Sequence, residues 1–244
     1  MSLLEVSGLS KRFGGLHAVR DLSLVLERGE VLGLIGPNGA GKTTAFSLLS
    51  GFLIPDAGDI RFDGRNLIGL KPHAICRAGL ARTFQIVRPF PRFSVLGNVE
   101  VGALARHADV AEAAKRARAV VERVGLGAKA DVPASALTLP DRKRLELARA
   151  LATEPALILL DEVMAGLNAT ETTNIVELIR RINGDGISIL LIEHNMRAVM
   201  SLSHRIVVLS FGEKIADGSP AAVANDPRVV EAYLGEEYVN APRP

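Results

Sequence analysis

Residues 36–44 read Gly36-Pro37-Asn38-Gly39-Ala40-Gly41-Lys42-Thr43-Thr44 and come directly after an apolar stretch, Val31 to Ile35. Glycines at a tight curl let many backbone N–H groups face one small anion, because no side chains stand in the way. A helix opening near Lys42 adds its unpaired amides and positive dipole end. Lys42 brings a full charge, and Thr43 a hydroxyl suited to Mg2+. The spacing from Gly36 to Thr43 satisfies G-x-x-x-x-G-K-[ST]. The loop from Gly36 to Thr44 is therefore the expected nucleotide-phosphate site. A glycine-rich strand-to-helix turn that binds nothing is the competing reading.

Further candidates lie downstream. Leu157-Ile158-Leu159-Leu160 is an apolar run ending in Asp161-Glu162. Asp161 is placed to hold Mg2+ through its water shell. Glu162 projects differently and is the natural general base, or positioner, for an attacking water. Alone, such a pair reads equally as a solvent-facing strand end. His194 comes after the apolar run Ile187 to Ile192, beside Glu193, and could contact a γ-phosphate or its water. His17, His73, His107 and His204 have no comparable setting and no zinc-ligand spacing. Gln85 could reach Mg2+ or the water. Phe13, an aromatic in an expected turn over Lys11 to Gly15, fits adenine stacking and ordinary packing equally.

These residues need an α/β framework. Apolar runs of strand length alternate with helical stretches, and three such strands end at Gly36, Asp161-Glu162 and His194. Ligands in such sheets bind beyond the strand C-termini, so one edge would gather all three. Residues 3–7 and 22–26 predict an antiparallel layer. Val95 to Leu104 and Val110 to Val124 predict helices, the second capped by Asp109 and ended by Gly125 and Gly127. They read either as an inserted helical lobe or as ordinary crossover helices. Thr138 to Ala152 predicts a helix, with Thr138 and Asp141 a near capping box and Leu145, Leu147, Ala148 and Leu151 its apolar face. A short helix over Pro227 to Leu234 and a loose tail from Asn240 close the chain.

Composition narrows the class. Hydrophobic residues make up 48% of the 244 and charged residues 23%, a folded, core-rich balance. A net charge of +2 is too mild for nucleic acid, and the stretch Asp141-Arg142-Lys143-Arg144 reads as the first turn of a helix. One cysteine, Cys76, allows neither an internal disulfide nor a cysteine metal cluster. The N-terminus lacks the basic and apolar regions of a signal peptide, and no apolar run has spanning length. The expectation is a soluble chain whose membrane association goes through a partner.

Taken together, the loop at 36–44, Phe84-Gln85, Leu159 to Glu162 and Glu193-His194 resemble, in order and spacing, the ATP-binding subunits of ABC transporters, over almost the whole chain. The resemblance implies a P-loop NTPase core with a mixed, largely parallel sheet (residues 1–85 and 136–220), an antiparallel β layer, an inserted helical subdomain (86–135) and a C-terminal helix and tail (221–244). It makes 36–44 the Walker A loop, Gln85 the Q-loop residue, Asp161 and Glu162 the Walker B pair, His194 the switch histidine and Phe13 the adenine-stacking aromatic. Lys11 to Val19, Ala81 to Gln85, Ala165 to Asn168, Ile192 to Met196 and Asn225 to Glu236 further resemble high-affinity branched-chain amino acid importers, and related systems take amides, urea or small carboxylates.

The resemblance also implies an ATPase coupled to transport. The cofactors are ATP and Mg2+, the latter held by Thr43, Gln85 and Asp161. Catalysis falls to Glu162, His194, Lys42 and Gln85. The partners are a second ATPase subunit (in a heterodimer, or as a homodimer in isolation), two transmembrane permease subunits and, indirectly, an extracytoplasmic solute-binding protein, with the chain at the cytoplasmic membrane face. Two departures stand out. Where the family reads Leu-Ser-Gly-Gly-Gln, this chain has Leu137-Thr138-Leu139-Pro140-Asp141. Thr138 keeps a nucleotide-binding hydroxyl, but Pro140 has no N–H and Leu139 adds bulk. Asn168 stands in place of an aspartate. The nucleotide site that Leu137 to Asp141 completes on a partner is therefore expected to be weaker or differently tuned. A channel-free ABC ATPase, a regulatory subunit that hydrolyses little and a small kinase are the other readings.

Overall fold

Two glycines, Gly14-Gly15, are the whole loop between β1 (Ser2–Phe13) and β2 (Leu16–Glu27) in the computed structural model of the chain, which describes residues 2–85 and 89–240. Both strands run well past the segments that alternation marks. Register shifts along β1, between Val6 and Leu9 and again between Lys11 and Arg12, break the period-two pattern and hide its length. Lys11 to Phe13 are thus strand, not turn. With β4 (Ala57–Phe62) and β5 (Arg65–Asn66) they form an antiparallel sheet ordered β2-β1-β4-β5.

The chain divides into two compact units, residues 1–72 with 188–244, and residues 73–187. In the first, β3 (Val31–Ile35) pairs in parallel with β8 (Ser188–Ile192) on one side and β9 (Arg205–Ser210) on the other, and β10 (Glu213–Gly218) pairs antiparallel with β9. Every residue of β3 and β8 is buried, which is why they read as apolar runs, broken only by Ser188 at the start of β8. Polar anchors pin the start of β3. Ser188 Oγ accepts the Gly29 N–H at 2.8 Å, and His204 Nδ1 accepts that of Val31 at 2.9 Å. The helices of this unit are α1 (Lys42–Leu49), α7 (Met196–Leu202), α8 (Pro220–Ala224) and α9 (Pro227–Asn240). Sequence periodicity misses α8, which is short, although Ser219 caps it and Pro220 opens it.

In the second unit, β6 (Leu80–Arg82) pairs in parallel with β7 (Leu157–Asp161). Around them are α2 (Pro72–Ala78), α3 (Val95–Ala103), α4 (Val110–Arg123), α5 (Leu139–Leu151) and α6 (Ala169–Gly184). Asp109 caps α4 by accepting the N–H groups of Ala111 and Glu112. The chain passes into and out of the α3–α4 segment side by side: Val95 N–H donates to Val132 O and Ala134 N–H to Phe93 O, both at 2.9 Å. Buried Asn98 braces the entry, accepting the Phe90 N–H and donating to the carbonyls of Phe90 and Ser94. The α/β expectation holds, with its parallel strands and antiparallel layer. Among the described residues no helix is long and apolar enough to cross a membrane.

Candidate active site

The phosphate loop lies in the first unit. Gly36 and Gly41 have φ of 151° and 101°, and a Cβ on either would stand 2.1 Å from a backbone carbonyl oxygen, that of Leu209 or of Ala18. Only glycine fits both conformation and space. The loop closes on itself through Ala40 N–H to Pro37 O, and Gly212 N–H, from the turn after β9, donates to Ala40 O at 3.1 Å. Gly41 caps α1 with no side chain, so the first-turn amides gain no side-chain acceptor there. Lys42 is buried, and its Nζ donates to the Gly36 and Pro37 carbonyls at 2.6 and 2.8 Å, an ammonium fixed inside the curl. Asn38, Gly39 and Thr43 are exposed, with Pro37 and Thr44 half-buried. His194 is exposed just past β8, and Asn195 after it caps α7. Phe13 ends β1, 47% exposed, with Lys11 Nζ 5.8 Å from its ring centroid.

Asp161 and Glu162 lie in the second unit. Asp161 is buried and takes Arg82 Nη2 on Oδ2 at 2.8 Å, a pair almost wholly removed from water. Its backbone N–H donates to Thr83 Oγ1 at 3.1 Å, so β6 and the residue after it hold both side chain and main chain. Glu162 has φ of 50°, the left-handed region, which turns the chain sharply at the strand end. Such conformations cost about 1–3 kcal/mol in a non-glycine residue and gather at functional sites. Its Oε2 accepts Gln85 Nε2 at 2.6 Å, so Asp161 and Glu162 have different partners. The donors present are a hydroxyl on Thr43, an amide on Gln85 and a carboxylate on Asp161. They are hard oxygen groups of the kind Mg2+ takes.

Thr138 is the N-cap of α5 by position only. Its hydroxyl donates to Asp141 Oδ2 at 2.8 Å instead of accepting a backbone N–H, so the capping-box expectation fails. A carboxylate is the stronger acceptor, and Lys129 Nζ shares it. The hydrogen bonds lower the pKa of Asp141, overcoming the burial that would raise it. Asn168 forms a full capping box with Glu171 at the start of α6.

Sequence reasoning missed Arg82, Thr83, Lys143 and Glu146. Lys143 and Glu146 sit in a helix whose charged residues read as a solvated face, yet both are buried. Glu146 Oε1 accepts the Phe84 N–H at 2.5 Å. Burial pushes the Glu146 carboxyl up, against that hydrogen bond and the charges of Lys143 and Arg149. A carboxyl raised in the fold penalises the native state at pH above its folded value, and the penalty vanishes below the unfolded value. Glu146→Gln, which keeps an acceptor for Phe84, is therefore expected to match or exceed the parent in thermal stability at pH 7. Melts in acid should show that advantage shrinking as pH falls towards the ordinary carboxylate range.

The ABC transporter family profile matches residues 19–165, which hold the phosphate loop and the Asp161-Glu162 pair. The chain belongs to the ABC transporter family. It is 44% identical to the high-affinity branched-chain amino acid transport ATP-binding protein LivG of Salmonella typhimurium, over 96% of this chain and 98% of that one. It is 42% identical to BraF of Pseudomonas aeruginosa, described in the same words, with the same coverage. A nucleotide-free ATP-binding cassette from an ABC transporter superposes with a TM-score of 0.88 at 29% identity, covering 97% of this chain and 100% of the other. A second profile, the branched-chain amino acid ATP-binding cassette transporter, matches residues 213–239. The fold is that of an ABC ATPase, and the chain is an ABC-type ATPase subunit of a transporter.

Proposed function

We propose that this subunit drives uptake of branched-chain or related amino acids. The observation that carries the reading is the match of residues 213–239 to the branched-chain profile. That segment lies beyond the stretch matched by the ABC profile, so it reports the kind of transporter, not the shared ATP chemistry. Amides, urea or small carboxylates are the alternative solutes, because an ATPase subunit does not touch the cargo.

In this reading the amides of residues 36–44 and Lys42 hold the phosphates, and Phe13 stacks on adenine. Thr43, Gln85 and Asp161 fit Mg2+ in donor type, Asp161 through the carboxylate oxygen that Arg82 does not take. When bound, the ion neutralises charge on the β- and γ-phosphates. Glu162 takes a proton from the attacking water, Gln85 orients Glu162, and His194 contacts the γ-phosphate. Stabilisation is chiefly positional and electrostatic. A second ATPase subunit closes against this one. The lobe at 86–135 meets two permease subunits at the cytoplasmic membrane face, and a solute-binding protein delivers cargo from the other side. The side-by-side entry and exit of that lobe suit a part that moves as one piece.

The segment Leu137 to Asp141 is a poor anion donor. Pro140 lacks an N–H, the Thr138 hydroxyl is directed at Asp141, and Asp141 is itself negative. A partner is therefore needed to supply a better signature to this chain's own phosphate loop. The deciding experiment measures Mg-dependent ATP hydrolysis by the chain alone and with its cognate ATPase and permease subunits, and then uptake of leucine against urea in vesicles. Hydrolysis at least about tenfold higher in the mixture is expected, since loss of one transition-state donor costs about 10²–10³-fold. Strong activity alone would show the segment to be competent, and urea uptake without leucine uptake would overturn the solute assignment.

A further inference from the structure

Helix α5 carries two buried charges one turn apart, Lys143 at 3% and Glu146 at 7% exposure. Positions three apart share a helix face. Removing an ammonium and a carboxylate from water is costly unless each is hydrogen-bonded, and here both are directed at backbone. Lys143 Nζ donates to the Glu162 carbonyl at 3.1 Å and to the Gln85 carbonyl at 3.4 Å. Glu146 accepts the N–H of Phe84, the residue before Gln85. One helix face thus holds the main chain on both sides of the 2.6 Å Gln85–Glu162 side-chain contact. The Glu162 carbonyl it holds belongs to a residue in the left-handed region, where the backbone needs such support.

We propose that Lys143 and Glu146 form a bracket that fixes Phe84-Gln85 against Glu162, with Lys143 a positioning residue for ATP hydrolysis. The proposal rests on the functional reading in which Glu162 and Gln85 act on the attacking water. Lys143 touches no reacting atom; it sets where Glu162 and Gln85 stand. Since α5 also begins at Leu137 to Asp141, the same rigid element that presents this segment fixes the subunit's own general base. A displacement of about 1 Å at such a base costs on the order of 100-fold in rate, so a bracket of two hydrogen-bonded charges has a large lever.

The test uses the full chain in its ATPase assembly, as parent, Lys143→Met, Lys143→Arg, Glu146→Ala and Glu146→Gln. Steady-state kinetics and amide hydrogen exchange at Phe84 are measured on each. Lys143→Met is expected to lower kcat by about 10–100-fold with KM for ATP nearly unchanged, and Lys143→Arg to restore most of the rate. Phe84 exchange should accelerate in Glu146→Ala and stay slow in Glu146→Gln. Parental kcat in Lys143→Met, or a loss that Arg does not rescue and that raises KM equally, would overturn the positioning role. Unaltered Phe84 exchange in Glu146→Ala would overturn the bracket whether or not the assembly hydrolyses ATP. A parent assembly that binds ATP without hydrolysing it would instead sink the functional reading.

Discussion

Glu162→Gln is expected to reduce ATP hydrolysis by about 10²–10⁴-fold, the range set by losing a positioned general base, while leaving ATP affinity within about twofold. The substitution is nearly isosteric. Its amide oxygen can still accept from Gln85, which now donates to Glu162 at 2.6 Å, and Lys143 still holds the residue's carbonyl. The capacity to take a proton is lost. Kinetics that lower kcat and kcat/KM together with unchanged nucleotide binding would mark an interaction made only in the transition state. The variant should also accumulate bound ATP, measurable by retention of labelled nucleotide on the isolated protein. Turnover at the parent rate would remove Glu162 from the mechanism and leave the water to another group.

Some of this chemistry is visible in the sequence because the chemistry itself dictates residue types. No side chain but hydrogen fits at Gly36 or Gly41, where backbone oxygens stand 2.1 Å from a Cβ. A carboxylate can come after Leu157 to Leu160 only where the strand ends, so Asp161 and Glu162 announce themselves. Strands β3 and β8 were legible because every residue in them is buried, which leaves them almost wholly apolar. Arg82, Lys143 and Glu146 were not legible. Hydropathy assigns a charged residue to water whether it lies in a strand or a helix, and nothing in the order of residues says that Lys143 will find two carbonyls or Glu146 an amide. The length of β1 was hidden because its register shifts disrupt alternation. Thr138 misled in another way: the capping pattern was present, but Asp141 competed for the hydroxyl and won. Local pattern identifies which groups are available, and tertiary contacts choose among the acceptors.

The Arg82–Asp161 pair gives the largest expected effect on stability. The Arg82 and Asp161 side chains are 8% and 3% exposed, and the two are joined by a 2.8 Å contact. Removing one member leaves the other charge buried and unpaired, which costs about 3–5 kcal/mol. Arg82→Met, which keeps length and apolar bulk, is therefore expected to lower the melting temperature by roughly 10 °C for a chain of this size. The pair is not thereby shown to be a net stabiliser, because both ions were taken out of water to form it. Replacing both, as Arg82→Met with Asp161→Leu, should recover most of the loss, since buried pairs exchanged for apolar groups are often neutral or better. It would also remove the carboxylate assigned to Mg2+, so activity should vanish as stability returns. That opposition separates a pair kept for folding from one kept for function. A double variant as unstable as Arg82→Met alone would mean that Arg82 supports β6 and β7 through contacts other than its ion pair. A double variant restored in stability and dead in hydrolysis would mean that the charge at residue 161 is retained for its chemistry, with Arg82 as the counter-charge that lets a carboxylate stand at the buried end of β7.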